Sequence, residues 1–164
     1  MKTLFIVRHA KSSWKDSTLS DFDRPLNKRG KRDVPDMGAR LKSQNILPDL
    51  IISSPAKRAF AAAKGIAKQM GYPLIGIIKA DALYHASSKH IIGLIAATND
   101  RHDSLMIFGH NPGFTYLVND LCDFYLNNLP TCGIYGIEFP IDSWKALPVQ
   151  KGKKVFYDYP KSSI

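Results

Sequence analysis

Histidine and arginine side chains follow apolar runs at three separate places in this sequence. Each run is rich in Leu, Ile, Val and Phe, which is typical of a buried strand in a parallel sheet. In an open α/β sheet, ligands bind beyond the carboxyl ends of such strands. The side chains concerned are Arg8 and His9 after Leu4–Val7, Arg58 one turn into the helix expected after Leu50–Ile52, and His110 after Leu105–Phe108.

This combination of residue types suits phosphoryl transfer. The planar guanidinium group of arginine stays charged and binds phosphoryl oxygens in a bidentate manner. Histidine titrates near neutral pH, so a useful fraction is neutral and nucleophilic. Helices that begin near Pro55 and Pro112 would add backbone donors for an anion. The pattern predicts a phosphate site at the sheet edge that needs no metal.

Each of these residues also has a simpler interpretation. His9 could only hydrogen-bond the turn after its strand, and His110 lies in GHNPG, whose Asn-Pro-Gly is itself turn chemistry. Arg58 could be an exposed helix residue. If these interpretations all held, three such side chains would follow three predicted strands by coincidence. One phosphate site that uses all three is more plausible, and it is the preferred hypothesis.

Helical patterns separate the apolar runs. The segment GKRDVPDMGARLKSQN has apolar residues three and four apart, with Pro35 expected in its first turn or at a bend. The alanine-rich segment PAKRAFAAAKGIAKQMG predicts a helix with Pro55 at its first position and Gly71 at its end. A third helix is expected from Ser88 to Thr98, opened by Ser87 or Ser88.

A fourth helix is predicted in NPGFTYLVNDLCDFYL, and further strands at Leu74–Ile78, in CGIYGIEF and in KKVFYDY. The apolar stripe of this helix is Phe114, Leu117, Val118, Leu121 and Tyr125. Strands that alternate with helices predict an α/β fold, in which a mostly parallel central sheet carries helices on both faces. The length of 164 residues fits one domain over 1–164.

Composition excludes some classes of protein and leaves others open. Apolar residues make up 45% of the chain and charged residues 23%, which is ordinary for a globular protein. No apolar run approaches the roughly 20 residues of a membrane span, and MKTLFIVRHA lacks the long apolar core of a secretory signal. Cys122 and Cys132 are too few for a disulfide framework or a zinc site and are expected to be buried. We therefore expect a cytoplasmic protein without a membrane partner.

The formal net charge of +9 raises the question of an anionic partner. A basic protein captures anions and is compatible with nucleic acid. However, no run of five or more basic residues occurs, and the tightest cluster, at 28–32, lies where a helix is expected to begin and fits a solvated helix face. No nucleic acid partner is expected.

Other catalytic motifs are absent from the sequence. It contains no GxxxxGK[ST] loop, no GxGxxG after a strand and no GxSxG elbow. His85, His90 and His102 stand beside no acidic pair at metal-ligand spacing, and we interpret them as surface or packing residues. Neither a metal nor another cofactor is expected.

The quoted motifs resemble those of the histidine phosphatase superfamily. They are RHA after the first strand, SSPAKRA after the second and GHNPG after the fourth. The RHA variant, DFDRPLNKRG and GHNPGF are more narrowly similar to SixA-type phosphohistidine phosphatases. The likeness runs in order from about residue 3 to residue 139. It implies a phosphoglycerate-mutase-like fold and a phosphoenzyme mechanism.

By this resemblance, His9 would attack phosphorus, and Arg8, Arg58 and His110 would bind the phosphoryl oxygens. His110 would also stabilise the transition state. Asn111 is a further candidate, since it could orient His110 or donate to phosphate. The implied partners are a phosphohistidine-containing protein or a small phosphorylated substrate, with inorganic phosphate as the product.

Four positions depart from the family pattern or leave roles open. Ala10 stands where many members have glycine, and Ala62 where threonine is common. Arg24, in the loop after the first strand, would either reach the substrate or form a structural salt bridge. The nearest candidate for a general acid is Asp81 in KADALY. The imidazole of a phosphohistidine is a good leaving group, and its departure would need little help from an acid.

Two alternatives to a phosphohistidine phosphatase remain open at this stage. One is a phosphatase of a small phosphorylated metabolite. The other is a non-catalytic module that binds phosphate or nucleic acid. A binding module explains the presence of His9 less well, because such a module needs no nucleophile.

Overall fold

The computed structural model describes residues 1–162, which form one six-stranded sheet and four α-helices. The strands are β1 (Lys2–Arg8), β2 (Leu50–Ser53), β3 (Ile78–Lys79), β4 (Ser104–Gly109), β5 (Ile134–Phe139) and β6 (Lys153–Asp158), and the helices are α1 (Lys28–Ser43), α2 (Lys57–Met70), α3 (Ser88–Ala96) and α4 (Gly113–Leu121). The predicted α/β class is confirmed.

The sheet is mixed, with strand order β3-β2-β4-β1-β5-β6. β4 lies between β1 and β2 and is parallel to both, and β3 is parallel to β2. β5 runs antiparallel to β1, and β6 antiparallel to β5. The prediction of a mostly parallel sheet with additional strands at one edge is confirmed. The register pairs Arg8 with Gly109, so β1 and β4 end side by side.

Helices cover both faces of the sheet, as predicted. Because side chains alternate along a strand, Leu4 and Ile6 of β1 enter one apolar core, and Phe5 and Val7 enter the other. The first core contains the apolar faces of α3 and α4, and the second contains those of α1 and α2. β1 is thus buried on both sides, which explains its continuous apolar sequence.

Local signals place most helix ends correctly. Gly71 ends α2 in the left-handed conformation, with φ of 82°, and the Ser87 side chain caps the start of α3. The expected position of Pro55 is wrong, since it precedes Ala56, the N-cap of α2. Pro35 is the eighth residue of α1, which excludes the first-turn position; a bend in the helix stays a prediction.

Two expectations about apolar segments are corrected by the structure. Residues Leu74–Gly76 form a 3-10 turn after Pro73, so the predicted strand at 74–78 shrinks to the two residues of β3. This segment is at the sheet edge, where Leu74, Ile75 and Ile78 are exposed and only Ile77 packs into a core, so little burial favours an extended strand. Tyr125 lies beyond the end of α4 and is exposed, so it is not part of the apolar stripe.

Both cysteines are free and buried, as expected. Within residues 1–162, no helix is both long and apolar enough to pass through a bilayer. In the same part of the chain, no three histidine, cysteine or acidic side chains are grouped as metal ligands would be.

Candidate active site

The carboxyl ends of three strands meet at one edge of the sheet. The backbone N–H of His9 donates to the carbonyl of Gly109 at 3.0 Å, and that of Ser54 donates to the carbonyl of Phe108 at 2.8 Å. These bonds join the segments that follow β1, β2 and β4. His9, Arg58 and His110, which the sequence places far apart, therefore lie together, and each is at least 92% buried.

His9 is held in one orientation by its Nδ1 atom. This nitrogen is 2.6 Å from the backbone carbonyl oxygen of Ala10 and must carry the proton, since a carbonyl only accepts. Nε2 is left with its lone pair, and the Nε–H of Arg58 points to it at 3.4 Å. Burial, together with the charges of Arg58 and Arg8, lowers the pKa of His9 to about 4 despite the opposing bond to Ala10. The ring is therefore neutral at neutral pH.

His110 faces the same space from the start of α4. Its Nε2 is 2.7 Å from the hydroxyl oxygen of Ser54, and its Nδ1 accepts from Nη2 of Arg58 at 3.4 Å. The rings of His9 and His110 are 5.2 Å apart between centroids. Burial, followed by the effects of His9 and Arg58, lowers the pKa of His110 to about 3. Both histidines thus avoid charge beside the arginines while the site holds no anion.

Arg8, the last residue of β1, lies close enough to His9 for its charge to lower the pKa of that ring. Its Nη1 donates to the carbonyl of Leu129 at 3.0 Å, while its buried Nε has no hydrogen-bond partner within residues 1–162. An unpaired buried donor is costly unless a ligand satisfies it. The Arg8 side chain is therefore suited to an oxyanion.

Asn111 is committed to the loop beside the site. Its amide nitrogen donates to Asn128 and to the carbonyl of Leu129, and its oxygen accepts from Thr115 in α4. Leu129 is also the residue whose carbonyl holds Arg8. In this arrangement Asn111 supports the position of Arg8, and its assignment to substrate binding stays a prediction.

Arg24 is 93% buried and lies at the other side of the site. Its Nη1 is 3.4 Å from a carboxylate oxygen of Asp21, and its Nη2 donates to the hydroxyl of Ser12. The exposed indole of Trp14 covers it, with 3.3 Å between Cζ and the ring centroid. The Nε of Arg24 is a second buried donor without a partner in the described chain. The structure thus contains a salt bridge of Arg24 with Asp21, which is one of the two alternatives predicted for Arg24.

Sequence reasoning missed Asp21, which bridges several site residues. Arg58 donates to its carboxylate at 3.0 Å and to its backbone carbonyl at 2.6 Å, and the Tyr84 hydroxyl donates to the same carboxylate oxygen at 2.7 Å. Partial desolvation opposes ionisation, but hydrogen bonds from Tyr84 and Arg58 outweigh it and lower the pKa of Asp21. The proximity of Asp21 to Arg24 in DFDRPLN was the available signal.

The candidate acid Asp81 is not part of this cluster of bonded side chains. It is exposed, and its carboxylate makes no hydrogen bond or ion pair with the residues that the structure describes. Three and four residues farther along, Tyr84 and His85 do reach the site. His85 was expected to be a surface or packing residue, and its side chain is 67% exposed, but its Nε2 is 3.6 Å from the Asp21 carboxylate.

A cavity of about 370 Å³ opens beside His110. His110, Asn111, Pro112, Gly113 and Tyr116 form one wall, and the segment from His85 to Ser88 forms the other. The two walls are close because Gly113 has no side chain: a Cβ there would lie 2.3 Å from the carbonyl oxygen of Ala86. The cluster of His9, Arg58 and His110 therefore adjoins a space that could receive the remainder of a substrate.

The comparison with known proteins agrees with this geometry. The model of the histidine phosphatase superfamily (branch 1) matches residues 4–85. The chain belongs to this superfamily. Among its relatives, an uncharacterized chloroplastic protein of Arabidopsis thaliana is 30% identical to this chain over 152 residues, which cover 88% of this chain and 69% of that protein.

Solved structures share the fold of this chain over nearly its whole length. A proposed phosphohistidine phosphatase SixA from Agrobacterium tumefaciens has a TM-score of 0.83 at 24% identity, covering 97% of this chain and 98% of that one. A protein histidine phosphatase SixA complexed with tungstate gives 0.82 at 23%, covering 96% and 97%. A mycobacterial glucosyl-3-phosphoglycerate phosphatase gives 0.71 at 12%, covering 97% and 100%.

The solved structures confirm the phosphoglycerate-mutase-like α/β fold. Membership of the superfamily supports a histidine-phosphatase-type function. These relations do not distinguish a protein substrate from a small metabolite, because neighbours of both kinds share the fold. The choice between these substrate classes depends on the site of this chain.

Proposed function

We propose that this protein is a metal-independent phosphatase that forms a phosphohistidine at His9 and acts on protein phosphohistidine. The observation that carries this proposal is the state of His9. Its Nδ1 is tied to the Ala10 carbonyl, its ring is neutral, and its Nε2 lone pair faces Arg58. A neutral, oriented imidazole beside an arginine is what a nucleophile for a phosphoryl group requires.

Binding of the phosphoryl group would use donors that now lack good partners. Arg8 and Arg24 each carry a buried, unpaired Nε–H, and the Nε–H of Arg58 makes only a long contact of 3.4 Å to His9, whereas its two Nη atoms donate to Asp21. A bound oxyanion would accept from these groups and would also favour a protonated His110 next to it. The charge that develops on the equatorial oxygens would then meet positive groups already in place.

The reaction would proceed in two displacements. In the first, Nε2 of His9 attacks phosphorus in line with the bond to the leaving group, and that bond breaks. In the second, water attacks the phosphohistidine, and inorganic phosphate leaves. Because phosphoryl transfer depends mainly on position and charge neutralisation, the arginines and His110 supply most of what is needed.

The rim of the site supports a protein substrate. The phosphate-binding side chains are buried, whereas the residues around them expose apolar surface: Trp14 is 77% exposed, Tyr116 60% and Phe22 37%. Trp14 stacks on Arg24, and Phe22 packs edge-on against Tyr84, so both rings adjoin the site. Exposed apolar residues around a polar centre are typical of a surface that contacts another protein.

A small phosphorylated metabolite is the second candidate, because a structural neighbour of this fold is a glucosyl-3-phosphoglycerate phosphatase. The cavity beside His110 is large enough for such a molecule. Its open position next to the exposed ring of Tyr116 is equally compatible with a protein side chain that enters from outside.

The proposal is tested by rapid-quench trapping of the phosphoenzyme with three donors: a phosphohistidine protein, an aryl phosphate and a sugar phosphate. We expect an acid-labile, base-stable phosphoenzyme with wild type and none with His9→Ala, and the fastest turnover with the phosphohistidine protein. The control is His102→Gln, at the opposite edge of the sheet. A phosphoenzyme that persists in His9→Ala would disprove the nucleophile, and faster turnover of the sugar phosphate would favour the metabolite.

A further inference from the structure

We infer that His85 is the proton donor to the leaving group, acting from the wall of the cavity beside His110. This inference rests on the proposed function and adds the acid that the two-step reaction lacks. Among the buried groups of the site, His9 and His110 are neutral near pH 7, and Asp21 is ionised by its bonds to Tyr84 and Arg58. A bound phosphoryl group favours a protonated His110, but that proton is then held by the phosphoryl oxygens. None of these groups therefore has a proton free for an alkoxide or imidazole leaving group.

His85 is placed where such a proton is needed. It lines the same cavity as His110, with 6.5 Å between the two ring centroids, so one phosphorylated group can contact both rings. Its ring also lies against that of Tyr84, with centroids 4.0 Å apart. The backbone of His85 has φ of 53°, a left-handed conformation that few non-glycine residues adopt and that directs this side chain.

His85 also lies beside a carboxylate. The Asp21 carboxylate is 3.6 Å from its Nε2, which is within ion-pair distance. The other groups that face it are His110 from the start of α4, the Tyr84 hydroxyl, and Arg58 of α2, whose charge is paired with Asp21. Histidine is also the side chain that both gives and accepts a proton near neutral pH.

The proton balance closes over the two displacements. In the first, the bonding electron pair leaves with the oxygen or nitrogen of the leaving group, which takes the proton from Nε2 of His85. In the second, the attacking water gives one proton to the now neutral His85 as the bond between phosphorus and His9 breaks. Inorganic phosphate forms, and both histidines return to their starting states.

The test is the dependence of rate on the leaving group. We expect His85→Gln to reduce kcat/KM about 100-fold for an alkyl phosphate, as loss of a general acid does, and less than about threefold for 4-nitrophenyl phosphate, whose leaving group needs no proton. With a series of substituted phenyl phosphates, His85→Gln should show a steeper dependence of log(kcat/KM) on leaving-group acidity than wild type. For the poor leaving groups, we expect kcat/KM of wild type to decline at alkaline pH and this decline to disappear in His85→Gln.

Two matched variants make the outcome decisive. His102→Gln removes a histidine at the opposite edge of the sheet and should leave all rates unchanged. Asp81→Asn removes the competing candidate acid. An equal loss for all leaving groups in His85→Gln, or a loss confined to poor leaving groups in Asp81→Asn instead, would overturn the assignment. Phosphoenzyme formation from 4-nitrophenyl phosphate by His85→Gln would show that the proposed nucleophile stands independently of this result.

Discussion

The two buried histidines should make the protein markedly less stable in mild acid. A histidine in the unfolded chain has a pKa of 6.5, whereas the pKa of His9 in the folded protein is about 4. Between these values the unfolded chain binds a proton that the folded protein does not. The free energy of unfolding therefore rises with pH across this window, and the stability is lost as the pH falls from 6.5 towards 4.

The size of this effect follows from the same values. Each pH unit below 6.5 costs about 1.4 kcal/mol for a histidine that stays neutral only in the folded state, so His9 should cost about 2 kcal/mol near pH 5. His110, whose pKa is about 3, should contribute a similar amount. A loss of this size is a large fraction of the roughly 5–15 kcal/mol that stabilises a typical domain.

Urea unfolding at about pH 7 and about pH 5 measures the effect, in a buffer without phosphate, because a bound anion would favour the protonated rings. In His9→Gln the loss of stability between the two pH values should be smaller than in wild type by about 2 kcal/mol. The control variant His102→Gln should keep the full loss. If His9→Gln and wild type lose the same free energy, His9 is not held neutral by its surroundings, and the argument for a neutral nucleophile fails.

Two further variants test the supports of the site. In Asp21→Asn, the carboxylate no longer competes for Arg58, so inorganic phosphate should inhibit more strongly; a partly exposed ion pair is worth about 1 kcal/mol or less, which limits the gain to roughly fivefold. Weaker inhibition would show that Asp21 positions Arg58 instead. Gly30→Ala should destabilise the fold by about 1–3 kcal/mol and slow turnover, because its Cβ would lie 2.2 Å from the Lys11 carbonyl oxygen. Gly93→Ala is the matched control, because a Cβ there would meet open space on a helix; it should stabilise the fold by about 0.5–1 kcal/mol. Thermal unfolding measures both variants, and a similar effect of the two substitutions would contradict the packing argument.

The elements that the sequence predicted correctly are those with strong local or periodic signals. β1 and β4 are continuous apolar runs buried on both faces, and such runs favour a parallel central strand in any context. The start of α3 at Ser87 and the end of α2 at Gly71 follow from capping chemistry within a few residues. The segment Leu74–Ile78 was mistaken for a longer strand, because composition alone does not show that it lies at an exposed edge.

The residues of the site also fall into those that the sequence predicted and those that only the structure shows. Residue type and position after a strand were enough to single out His9, Arg58 and His110, since parallel strands carry the residues at their carboxyl ends to one edge. The contribution of Asp21 could not be predicted, because it depends on how the loop after β1 folds back onto Arg58. The same holds for His85, whose direction is set by its backbone conformation and by the contact between Gly113 and Ala86.

The sequence by itself determined the α/β class, the strand ends that carry the chemistry and the residue types that bind a phosphoryl group. Only the tertiary structure decided the protonation of the histidines, because their low pKa values arise from burial and from arginines distant in sequence. It also decided which carboxylate pairs with Arg58 and which histidine lines the cavity beside His110. These are long-range properties: they depend on distances of a few ångströms between segments that are joined only by folding.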